Sequence, residues 1–124
     1  MYKIGEMAKK VDLTIKTLRY YDKFGILKPS YVDKFSGYRY YTDDDILKCE
    51  YIKLLKSLDY TLKEISDNND GLNEDAIDKK QKELELKIEE SKRKLKVLNE
   101  MKKKLGGASI FSGINVNMEG EINE

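Results

Sequence analysis

The sequence predicts a mainly α-helical protein: a winged helix-turn-helix with a small β-hairpin wing, followed by a long C-terminal coiled-coil helix. Three observations carry that expectation. Apolar residues over positions 4–24 recur at helical spacing with one interruption. Residues 30–42 switch to β-prone side chains around a turn. Residues 74–105 repeat apolar residues in alternating four- and three-residue steps among lysines and glutamates, the period of a coiled coil.

Each element has its own local reason. Ile4, Met7, Ala8 and Val11 share one helical face, and Asp12-Leu13 breaks the run. Thr14 is an N-cap for a second helix from Ile15 to about Phe24, and Gly25 stands where a left-handed C-cap belongs. Pro29, the only proline, bars further helix. Two short helices around a tight break outline a helix-turn-helix. Tyr31-Val32 and Tyr38-Arg39-Tyr40-Tyr41 flank the turn residues Asp33-Lys34-Phe35-Ser36-Gly37, which makes a hairpin wing.

Thr42-Asp43-Asp44-Asp45 starts a capped helix with acids in its first turn, where the dipole favours them. Leu47, Tyr51, Leu54, Leu55 and Leu58 supply its apolar face, and Leu47, Tyr51, Leu54 and Leu58 are expected in the core. Thr61-Leu62-Lys63-Glu64 is a capping box for a short helix to about Asp67, followed by the polar turn Asn68-Asn69-Asp70-Gly71. These elements fill a first domain over residues 1–70. In the segment 74–105 the seam is Ile77, Gln81, Leu84, Ile88, Ser91, Leu95, Leu98, Lys102 and Leu105. A lone helix has nowhere to bury such a seam, so a partner chain is implied, with Ile77, Leu84, Ile88, Leu95, Leu98 and Leu105 as dimerisation residues. Gly106-Gly107 ends the helix. Residues 106–124 form a short polar tail, read as the start of a further, effector domain.

Composition narrows the chemistry. The net charge is only +1, yet residues 1–56 carry 12 Lys/Arg against 8 Asp/Glu, while residues 57–73 carry 1 against 4. The aromatic-rich front end is therefore basic and suits an anionic partner. With one cysteine and no histidine, the chain cannot form an internal disulfide or use histidine for acid–base catalysis. A clustered metal site is disfavoured on the same ground, and no metal or other cofactor is expected. No apolar run is long enough to span a bilayer, and the first residues have no signal-peptide core, so a reduced, cytoplasmic protein is expected, away from membranes.

The ordered motifs Tyr2-Lys3-Ile4-Gly5-Glu6-x-Ala8, Thr14-x-x-Thr17-Leu18-Arg19-Tyr20-Tyr21-Asp22, Gly25-Ile26-Leu27-x-Pro29 and Ser36-Gly37-Tyr38-Arg39-x-Tyr41-Thr42 resemble the N-terminal DNA-binding region of the MerR family of bacterial transcription regulators. The specific motifs span residues 2 to about 67, and the likeness extends to about 105 as architecture. The resemblance implies a homodimer with a winged helix-turn-helix, a helical second wing and an antiparallel coiled coil over 74–105. It implies double-stranded promoter DNA as partner, with RNA polymerase engaged through the DNA. Such regulators bind overlong promoter spacers, then bend and untwist them. The family's DNA contacts map onto Lys16, Thr17, Arg19 and Tyr20 in the second helix and Tyr38 and Arg39 in the wing. Lys56 and Lys63 are further candidates in the following helices.

Departures from the family pattern also inform. Metal- and redox-sensing members place cysteines at the start of the dimer helix and after it, and residues 73–77 and 106–124 contain none. Gly113-Ile114-Asn115-Val116 resembles the linker that precedes the ligand domain in drug-responsive members. Simpler readings stand beside these. Arg19 has Asp22 three residues on as a possible ion-pair partner. Of the adjacent Tyr20 and Tyr21, Tyr21 is assigned to the core and Tyr20 to phosphate. Cys49 reads as a small, semi-buried helix residue. Rival functions are an excisionase-like architectural DNA-bending protein, disfavoured by the long helix, and a coiled-coil adaptor without DNA binding. Catalysis is the weakest reading, because Asp43, Asp44 and Asp45 point in different directions on a helix.

Overall fold

The computed structural model describes residues 1–106 of the 124-residue chain. It falls into two compact units, Met1–Ile77 and Asp78–Glu124. Of the expected tail over 106–124, everything from residue 107 on, with the linker-like segment, lies outside the described residues.

In the first unit α1 (Ile4–Val11) and α2 (Ile15–Phe24) form the helix-turn-helix. Asp12 ends α1 at φ 54°, a left-handed conformation that aspartate enters more readily than most side chains. Thr14 Oγ1 then accepts the Thr17 N–H at 3.0 Å and opens α2. Gly25 closes it at φ 84°, where an L side chain is strained.

The wing is β2 (Tyr31–Val32) paired antiparallel with β3 (Arg39–Tyr41). Its turn is pinned by Asp33, whose Oδ1 accepts the N–H groups of Phe35 at 2.8 Å and Ser36 at 3.1 Å. Those bonds hold the Asp33 carboxyl below the usual carboxylate range. The expected hairpin is incomplete in one respect. β1 (Tyr2–Lys3) adds a third strand on the other side of β3, Tyr2 opposite Tyr41 and Lys3 opposite Tyr40. Two residues carry no periodicity, and only the fold brings them beside Tyr40 and Tyr41, far along the chain.

α3 (Asp43–Ser57) starts at a capping box: Thr42 Oγ1 accepts the Asp45 N–H and Asp45 Oδ2 accepts the Thr42 N–H at 2.9 Å. Its expected core face is overturned. Asp45, Cys49, Ile52 and Leu55 are buried, whereas Leu47, Tyr51, Leu54 and Leu58 are exposed, Leu47 by 68%. The reason is rotational. Asp45 also accepts a hydrogen bond from Ser30 Oγ at 2.6 Å, which fixes which side of the helix faces inward. Residues four, seven and ten positions further on then follow it into the core. Cys49 is accordingly buried completely rather than partly, and burial pushes its thiol up to about 11.

α4 (Leu62–Asp67) has the expected Thr61–Glu64 capping box. The core draws on every helix so far: Met7 and Val11 from α1, Leu18 and Tyr21 from α2, Ile52 and Leu55 from α3, and Ile65 from α4. Leu27 and Tyr41 close it from the loop and the sheet. α5 (Glu74–Leu105) has the predicted bounds and, at 32 residues, is about 48 Å long. Asn73 Oδ1 caps its start by accepting the Ala76 N–H at 2.8 Å. Among the described residues no helix is long and apolar enough to cross a membrane.

Candidate nucleic-acid interface

α2 shows how one short helix serves two purposes. Leu18 and Tyr21 point into the core, and Lys16, Arg19 and Tyr20 stand on the opposite, exposed side. Tyr20 is 50% exposed against 6% for Tyr21 and lies against the Phe24 ring at 6.0 Å. Lys16 and Arg19 have no ion-pair partner among the described residues. The suggested Arg19–Asp22 pair does not form. Asp22 instead accepts a hydrogen bond from Arg39 Nε at 3.0 Å, which ties the wing to α2. Sequence spacing missed this because the two residues are far apart along the chain and meet only when β3 packs beside the helix.

The other candidates differ in their engagement. Thr17 Oγ1 lies 2.8 Å from Thr14 Oγ1, so its hydroxyl takes part in the helix cap. Tyr38 is exposed, just before β3 begins, and the Lys3 ammonium lies 5.2 Å from its ring centre. Arg39 is partly exposed, with Nε bonded to Asp22. Lys56 is exposed in the last turn of α3, and Lys63 forms an exposed pair with Asp67 at 2.9 Å. An exposed pair of this kind is worth little and is readily exchanged.

The side chains so presented are donors: ammonium and guanidinium groups and phenolic hydroxyls. Phosphate oxygens are the acceptors that such a set suits, and the first turns of a second helix beside a wing are the part that reaches base edges in helix-turn-helix proteins. An open groove of about 760 Å³ runs between α1, the start of α2 and the wing, and Arg19, Tyr38 and Arg39 line it. Sequence reasoning missed two more cations in its lining, Lys3 and Lys9. Their only signal was position, Lys3 within the Tyr2-Lys3-Ile4-Gly5-Glu6-x-Ala8 motif and Lys9 just after it.

Along α5 the seam residues Ile77, Ile88, Leu95 and Leu98 are exposed, and Leu84 and Leu105 partly so. Leu84, Ile88 and Leu95 line one shallow apolar trough of about 520 Å³.

Comparison with known proteins bears on both surfaces. Residues 2–71 match the model of the MerR HTH family regulatory proteins. Over 69 residues the chain is 45% identical to the multidrug-efflux transporter 1 regulator of Bacillus subtilis, a match covering 56% of this chain and 25% of that protein. It is 30% identical to the mercuric resistance operon regulatory protein of Bacillus cereus, over 83% of this chain and 84% of that one. Among solved structures it resembles EcmrR in the EcmrR–DNA complex of EcmrR-RPo, with TM-score 0.78 and 32% identity over 84% of this chain and 39% of that one. The chain thus spans about a quarter of the first relative's length and most of the second's.

Proposed function

The chain belongs to the MerR HTH family of regulatory proteins, and on that premise we propose that it is a homodimeric transcription regulator that binds double-stranded promoter DNA. The observation that carries this is the outward face of α2. Lys16 and Arg19 lie there without ion-pair partners among the described residues, beside the wing that presents Tyr38 and Arg39. Lys16 and Arg19 read base edges; Thr17 and Tyr20 support them at the backbone. Tyr38 and Arg39 grip phosphate from the wing, and Lys56 and Lys63 do so from α3 and α4. The head over residues 1–70 is the reading module. The seam of α5, through Ile77, Leu84, Ile88, Leu95, Leu98 and Leu105, joins two chains as an antiparallel coiled coil over 74–105.

Two heads per dimer hold the duplex at two points. Phosphate contacts at both stabilise a bent and untwisted spacer, whose deformation energy depends on its sequence. RNA polymerase then engages through the reshaped DNA. The EcmrR structure, named for a DNA complex in an RPo assembly, supports this reading. The place of action is the cytoplasm, where promoter DNA and polymerase meet. No cofactor takes part in the binding step and no reaction is catalysed.

The test is anisotropy with the duplex upstream of its own gene and with a scrambled duplex, over a salt series. Arg39→Ala is expected to weaken both and to lower the salt slope by about one. Arg19→Ala is expected to narrow the gap between them, since a good bidentate base contact discriminates by roughly 1–3 kcal/mol. Equal loss on both duplexes would reduce Arg19 to a backbone contact. Salt-independent or absent binding by the unaltered chain would favour the adaptor reading instead.

A further inference from the structure

The groove between α1 and the wing contains more positive charge than the reading of α2 and the wing requires. Lys3, Lys9, Arg19 and Arg39 all line it, against the single carboxylate of Glu6. Glu6 is exposed and engaged locally, since Oε1 accepts the Lys3 backbone N–H at 3.0 Å in the α1 capping box, and one carboxylate does not offset the cations around it. Asp22, the acid nearest Arg39, is occupied by that guanidinium. The net field along the groove is therefore cationic, and a groove of that kind attracts a linear anion.

We propose that Lys3 and Lys9 are additional phosphate contacts and that this groove seats a stretch of the duplex backbone between α1 and the wing. The inference rests on the reading of the head as a DNA-binding module. Two geometric features support it. β1, the strand absent from the sequence reading, carries Lys3 to the edge of the wing, where its ammonium lies 5.2 Å from the Tyr38 ring centre. A cation on a ring face keeps its N–H donors available while the ring limits its wandering, so Lys3 and the Tyr38 hydroxyl are presented together. Lys9 is exposed on α1 and has no ion-pair partner among the described residues. Its neighbour Lys10 does not line the groove, and its ammonium sits 4.6 Å from the Tyr2 ring centre instead. Successive helix residues point about 100° apart, so α1 supplies a matched pair of lysines, one in the groove and one outside it.

That pair makes the test. The full chain is titrated by anisotropy against a short duplex of mixed sequence over a series of KCl concentrations. Lys3→Met and Lys9→Met are each expected to lower the slope of log K against log salt by about 0.9, because each lost phosphate contact frees that much less counterion. Lys3→Arg is expected to restore the slope, and Lys10→Met to leave it as in the unaltered chain. Circular dichroism checks that each variant is folded, and a misfolded Lys3→Met leaves Lys9→Met against Lys10→Met to decide. An unchanged slope for Lys9→Met, or an equal fall for Lys9→Met and Lys10→Met, overturns the proposal, the second by reducing it to net charge. If the unaltered chain fails to bind the duplex at all, the DNA-binding reading itself falls, and this extension with it.

Discussion

Tyr41 has the least expected position of any single residue. It is completely buried where the sheet closes the core, and its hydroxyl has no hydrogen-bond partner among the described residues. Burial first, and the nearby Asp22 carboxylate second, push its phenol up to about 12. An unpaired buried hydroxyl costs free energy that a phenyl ring does not. Tyr41→Phe is therefore expected to raise unfolding stability by about 1 kcal/mol, read by urea denaturation. The pH dependence follows. Between the ordinary tyrosine value of 10.0 and about 12, the unfolded chain has released a proton that the native chain still holds. Stability then falls as pH rises through that window, and Tyr41→Phe is expected to flatten the fall. Cys49 is another buried titrating group of the core. With its thiol shielded and raised to about 11, it is expected to resist iodoacetamide at neutral pH in the native protein and to react once urea unfolds it. Prompt labelling of the folded chain would reopen a redox role.

At the scale of elements, α3 shows how a polar residue sets the rotation of a helix. Counting apolar residues puts Leu47, Tyr51, Leu54 and Leu58 inside, and the protein turns them out. The deciding contacts belong to Asp45, which accepts both the Ser30 hydroxyl and the Thr42 N–H while almost fully buried. Asp45→Ala removes the Oδ2 that accepts both bonds and leaves their donors short of a partner. It is expected to cost about 2–3 kcal/mol, at the upper end for single changes, measured by thermal or urea unfolding. A loss within about 0.5 kcal/mol would mean that packing by Ile52 and Leu55 alone orients α3. The wing has a similar logic. Asp33 closes its turn, and Arg39 at its base is bonded to Asp22, which ties the wing to α2.

For the molecule as a whole, the unpartnered seam of α5 is the main consequence of its sequence. Leu84, Ile88 and Leu95 line an apolar trough on a helix rich in lysine and glutamate, and Ile77, Leu86, Val97 and Leu98 are exposed on it too. On the proposed reading, a second copy buries that trough. Leu84→Lys together with Leu95→Lys is expected to give monomers in sedimentation, because two ammonium groups would enter a desolvated seam. An unchanged dimer would place the association elsewhere, for instance on the exposed face of α3. Loss of the dimer also predicts weaker promoter binding, since one head alone grips the duplex at one point.

Local chemistry was enough to determine the helices and their ends. Thr14, Thr42, Thr61 and Gly25 cap the helices where their side chains or lack of one allow, and a mostly apolar four- and three-residue repeat marks α5 from Glu74 to Leu105. These signals act within one helical turn, so they can be read from neighbours in the chain. The outward side of α2 was also accessible, because helical period separates Leu18 and Tyr21 from Lys16, Arg19 and Tyr20. Tertiary structure alone decided the rest. The third strand β1, the Arg39–Asp22 tie, the inward turn of Asp45 and the convergence of Lys3 and Lys9 on one groove all depend on residues distant in sequence. Such contacts form when packing brings separate elements together, and no local period encodes them.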